Sequence, residues 1–157
     1  MKTYLIEHDD FVGLLERYFP ILPVCGPECI LANAHIHEGE LDHLLGLTWK
    51  QVLISAPALV RSGDVYLLPD KAIRYYLPAY LAMCIDRPGS DMLAESLVRA
   101  MARDDCAVLR IGFDRDQLKW ILEGVIQIIR QRLCFDVVET ERVRHFLESQ
   151  LQPKNEL

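Results

Sequence analysis

The sequence predicts a mainly α-helical protein, a compact single-domain bundle of about six helices with room for one or two very short strands. Three observations predict it. The chain has 157 residues, of which 51% are apolar, enough to bury a core without disulfides or metals. Apolar residues recur at helical spacing in several segments. Prolines, glycines and short polar residues fall between those segments, where helices start and stop.

The first segment is "EHDDFVGLLERYFP". Phe11, Leu14, Leu15, Tyr18 and Phe19 share one helical face. Asp9 and Asp10 suit a capped, electropositive helix start. Pro20 and Pro23 end the helix, and "PILPVCGPEC" is an irregular connection. A short helical turn is expected around 39–45. Thr48 then caps "WKQVLISAPALVRSG", which Pro57 kinks or splits. "DVYLLP" reads as a brief extended piece.

Next comes "PDKAIRYYLPAYLAMCID". Ile73, Tyr76, Leu77, Tyr80, Leu81 and Cys84 lie on one face, and most other faces are uncharged. Such a helix belongs at the centre of the fold. "SDMLAESLVRAMA" follows as a helix, and "AVLRIGF" as a short strand or buried linker. Asp114 caps the helix expected to be the longest, with Leu118, Ile121, Leu122, Val125, Ile126, Ile129 and Leu133 on its apolar side. The last helix is "TERVRHFLESQL", with Thr140 as its cap. The expected organisation is an acidic, loop-rich part over 1–47, a helical body over 48–151 and a tail over 152–157.

The net charge is −6, and all of it sits in residues 1–47. That third holds Glu7, Asp9, Asp10, Glu16, Glu28, Glu38, Glu40 and Asp42 against Lys2 and Arg17. No basic stripe of the kind that binds nucleic acid is present. No apolar run is long enough to span a bilayer, and "MKTYLIEHDDF" is not a signal peptide. The expected location is therefore the cytoplasm, with neither nucleic acid nor membrane as partner. Five cysteines, an odd number, argue against a disulfide framework in that compartment.

The stretch "VCGPECILANAHIHEGELDH" concentrates metal-ligand residue types. Cys25, Cys29, His35 and His37 can supply a zinc tetrahedron. Their C-x3-C and H-x-H spacings do not form a common structural-zinc pattern. The competing reading is a polar loop with two small thiols, and it is the one adopted, with no cofactor. No P-loop, G-x-G-x-x-G, G-x-S-x-G or H-E-x-x-H occurs, so no catalytic residue is assigned.

Tyr75, Tyr76 and Tyr80 beside Arg74 allow two readings. One is an interface rich in residues that anchor partners. The other is a core helix whose phenols reach backbone acceptors at its edges.

The elements "LTWKQV" and "LLPDKAIRYYLPAYLAMCID" resemble a family of small bacterial proteins of unknown function. That family shares a W-x-x-L-like element and a phrase close to P-E-A-F-R-Y-Y-L-P-A-Y-L. Matching positions are Trp49, Pro69, Ala72, Arg74, Tyr75, Tyr76, Leu77, Pro78, Ala79, Tyr80 and Leu81. Asp70, Ile73 and Leu68 depart from it. The resemblance covers residues 48–85, is loose in the C-terminal helices and does not extend across 25–43. It implies one mostly helical domain and carries no catalytic assignment.

The function expected from these features is a non-enzymatic protein-binding module. More narrowly, it is an immunity protein that neutralises a cognate toxin, with a basic toxin domain as partner and Glu28, Glu38, Glu40 and Asp42 at the contact. A zinc-binding domain or metal-dependent enzyme and an oligomeric scaffold are the alternatives.

Overall fold

The computed structural model describes residues 8–24, 26–30, 41–55, 64–86, 91–131 and 138–154. Among them the helices are α1 (His8–Tyr18), α2 (Pro27–Ile30), a 3-10 turn (Asp42–Leu44), α3 (Trp49–Ser55), α4 (Asp64–Leu67), α5 (Asp70–Asp86), α6 (Asp91–Arg110), α7 (Arg115–Gln131) and α8 (Val138–Leu151). The class is all-α. There are more helical segments than the expected six because several are single turns. Residues 56–63, where the Pro57 kink was expected, lie outside the described residues.

Helix α5 is the centre. Ala72, Ile73, Tyr76, Leu77 and every residue from Ala79 to Ile85 are buried. It packs against α1, α2, α3, α6 and α7, while α8 closes over α6 and α7. The physical reason is its lack of a charged face after Arg74, which leaves no side that gains by meeting water. Pro78 lies within it, yet the helix runs on to Asp86. Gly124 of α7 is buried where α1 and α5 converge. A Cβ there would stand 3.2 Å from both Leu81 and Phe11, so glycine sets how closely α7 approaches.

Two helix starts follow the sequence in detail. Gln51 N–H donates to Thr48 Oγ1 at 3.1 Å, and Thr48 N–H donates to Gln51 Oε1 at 2.9 Å. Asp114 and Gln117 repeat this reciprocal cap at 2.8 and 2.9 Å. Each pair satisfies amide groups that a helix start otherwise leaves open. Thr140 is not a cap. Helix α8 begins two residues earlier, so Thr140 sits buried in its first turn with Oγ1 unpartnered.

The segment expected to be extended, and most of the one expected to be a short strand or buried linker, are helical. "DVYL" forms α4, with Val65 and Leu68 buried. "AVLR" is the end of α6, beyond an interruption. Arg103 is extended, and Asp104, Asp105 and Cys106 have φ of 51°, 56° and 59°. Three left-handed residues in a row, none of them glycine, reverse the helical hand before it resumes. The turn is held at several points. Arg110 Nη2 pairs with the Asp105 carboxylate and Arg110 Nε donates to the Asp105 carbonyl, both at 2.8 Å. Cys106 is buried. Among the described residues α6, with this segment included, is longer than α7, whose length of 17 residues equals that of α5; Leu133 of the expected longest helix lies outside them.

Candidate functional site

The loop-rich N-terminal part is fastened to the helical body by a few side chains. Trp49 is fully buried, and its indole N–H donates to the Pro20 carbonyl at 3.2 Å. Its backbone N–H donates to the Tyr75 hydroxyl at 3.2 Å, and that hydroxyl donates onward to the Ile21 carbonyl at 2.7 Å. The Tyr76 hydroxyl lies 3.0 Å from both the Leu44 and Leu47 carbonyls. Gln117 Nε2 donates to the Tyr18 carbonyl at 3.0 Å.

Successive residues on a helix point about 100° apart. Tyr75 and Tyr76 therefore reach two different stretches of the same irregular segment. Their rings meet edge to face, with centroids 4.8 Å apart. The aromatic helix is thus a core helix, and two of its phenols, those of Tyr75 and Tyr76, hold backbone carbonyls at its edges. Tyr76 and Tyr80 are fully buried.

A cleft of about 450 Å³ opens between loop 19–24, α5 and the residues entering α7. Its apolar lining includes Phe19, Leu22, Tyr75 and Phe113, and its charged lining Lys71, Arg74 and Glu28. Phe19 and Phe113 meet near-perpendicular at 6.1 Å. Gly112 has φ +84°, and a Cβ there would come 3.1 Å from Arg74 Cδ. Glycine thus supplies both the left-handed turn and the space beside the arginine stem.

Of the expected contact residues, Glu28 is exposed on α2 at the cleft, and Asp42 is exposed at the start of the 3-10 turn. Glu38 and Glu40 lie outside the described residues. So do Cys25, His35 and His37 of the possible zinc set. Cys29 is a free thiol, half-buried against the core. Among the described residues, no three histidine, cysteine or acidic side chains gather to hold a metal ion. No helix among them is long and apolar enough to cross a membrane. Glu16 is paired with Lys50 at 3.0 Å.

Sequence reasoning missed Lys71, Phe113 and Gln117, which come together only through the fold. Arg74 had a signal in its place within the aromatic phrase. Burial foremost, and Asp105 beside it, push the Cys106 thiol upward from its ordinary value.

No family model matches the chain, and neither a curated protein nor a solved structure matches it.

Proposed function

We propose that this chain is a non-enzymatic protein-binding module, and more narrowly an immunity protein that neutralises a basic toxin domain. The observation that carries the reading is the fastening of the acidic segment. Residues 19–47 contain only single helical turns among the described residues, yet Trp49, Tyr75 and Tyr76 tie their carbonyls to the bundle. Exposed acids on such a mount are positioned before any partner arrives, which lowers the ordering cost of association. Acidic surface also attracts a basic partner and speeds encounter. Glu28 and Asp42 are the described contact residues, and Glu38 and Glu40 complete the proposed set.

The test is co-expression with the product of the neighbouring gene. The expected result is relief of that product's toxicity and a stable complex whose affinity falls with added salt. Glu28→Lys combined with Asp42→Lys is expected to abolish both. A neighbour that never harms cells, or relief that survives the double charge reversal, would contradict the reading.

A further inference from the structure

The cleft beside α5 has a character the acidic surface does not share. We propose that it binds a small organic acid, a molecule with one carboxylate and an aromatic or short alkyl body.

Its volume of about 450 Å³ lies within the range of sites that take small molecules, about 300–1,000 Å³. Phe19, Tyr75 and Phe113 supply flat apolar walls, and the loop side is held in place by the Tyr75 hydrogen bond to Ile21.

The charge placement is the stronger argument. Asp70 and Arg74 stand four apart on α5, the spacing at which a carboxylate and a guanidinium normally pair. Here Asp70 is taken by Arg103 of α6 at 3.2 Å. Arg74 instead lines the cleft, its stem against Gly112. Lys71, one turn away, lines the same cleft. Neither cation has an ion pair among the described residues, in a chain of net charge −6. A guanidinium presents a planar fork that fits a carboxylate with two parallel hydrogen bonds. Glu28 in the same lining disfavours a second negative group, which selects monoanions over polyanions. The inference rests on the cleft alone and stands or falls apart from the protein-partner reading.

The test is an amide-resolved NMR titration of the whole chain with phenylpropionate, with phenylpropionamide as its uncharged counterpart. Phenylpropionate is expected to give saturable shifts at the Gly26, Gly112 and Phe113 amides below about 10 mM. The uncharged amide and the Arg74→Gln variant are each expected to bind about tenfold more weakly, as fits loss of a charge-assisted pair. Lys71→Gln, at an exposed position, is a second variant that leaves packing intact and weakens binding several-fold. Arg130→Gln, on an exposed arginine of α7, leaves it unchanged. Shifts that never saturate, or equal binding of the acid and its amide to the wild-type chain, would overturn the proposal. So would full affinity in both Arg74→Gln and Lys71→Gln.

Discussion

The hydroxyl of Tyr75 donates a 2.7 Å hydrogen bond to the carbonyl of Ile21, a residue 54 positions away in the chain. Ile21 lies between two prolines, in backbone that no helix or strand organises. A phenol on the central helix therefore does for this loop what a neighbouring strand does elsewhere: it satisfies a carbonyl that would otherwise turn to water. The same hydroxyl accepts the Trp49 amide at 3.2 Å, so one atom links loop, α3 and α5.

Tyr75→Phe removes the oxygen and keeps the ring. Ile21 O and Trp49 N–H lose their partner in a part-buried setting, and a cost of about 1–3 kcal/mol is expected. Urea denaturation of the two proteins measures it. A change of a few tenths would show that water replaces the hydroxyl.

Tyr76→Phe acts on the other half of the segment. The Tyr76 ring is fully buried, and the Leu44 and Leu47 carbonyls lose a shared donor. The expected loss is also about 1–3 kcal/mol. The two substitutions share ring contact at 4.8 Å, so the double variant is expected to depart from additivity. A double-mutant cycle reads the difference.

Much of this arrangement was legible in the sequence. The apolar wrap of α5 announced a central helix, and Thr48 and Asp114 announced their caps, while the reciprocal bonds from Gln51 and Gln117 emerged only in the structure. The extended reading of "DVYLLP", and the strand reading of "AVLRIGF" that stood beside a buried linker, were wrong for a physical reason. Short apolar runs carry too few residues to separate a period of two from one of 3.6. The paired aspartates Asp104 and Asp105 marked a break, but its left-handed form was not legible, because glycine, the usual residue at positive φ, is absent. The cleft was illegible for another reason. Phe19, Arg74 and Phe113 are far apart in the chain, and only the packing of α1, α5 and α7 assembles them.

The left-handed turn offers a stabilising substitution. Asp104 has φ 51° and is exposed. Asp104→Gly removes the steric cost of that conformation while keeping the Asp105–Arg110 pair. A gain of about 0.5–1 kcal/mol is expected, visible as a higher midpoint in thermal unfolding. A loss would show that Asp104 contributes more through its side chain than its backbone costs.

Gly124→Ala tests the close approach of α7. Alanine gains about 1 kcal/mol in helix propensity, but its Cβ would press on Leu81 and Phe11 at 3.2 Å. Overpacking of a tight core costs about 1–3 kcal/mol, so a net loss of about 1 kcal/mol is expected. Stabilisation instead would show that Leu81 and Phe11 give way freely.

Cys106 sets a pH dependence. Burial, then the neighbouring Asp105 carboxylate, raise its thiol above its ordinary value in the folded chain. The unfolded chain therefore releases this proton first. The contribution to stability is full below the unfolded value and is lost as pH rises through the folded one. Cys106→Ala is expected to flatten the fall in stability above about pH 9, whatever its cost at neutral pH. In mass-resolved alkylation at neutral pH, half-buried Cys29 is expected to react ahead of buried Cys84 and Cys106.

The claim that the aromatic phrase fastens the acidic segment meets its most direct test in amide hydrogen exchange of the wild-type, Tyr75→Phe and Tyr76→Phe chains. The Trp49 amide is expected to exchange faster in Tyr75→Phe, because its acceptor is gone. The Leu44, Leu45 and Leu47 amides, bonded within their own turns, are expected to exchange faster in Tyr76→Phe. Amides of α7 and α8 are expected to shift in neither variant beyond the change in global stability. Unchanged exchange at Trp49, Leu44 and Leu47, or a uniform change across all helices, would contradict the account.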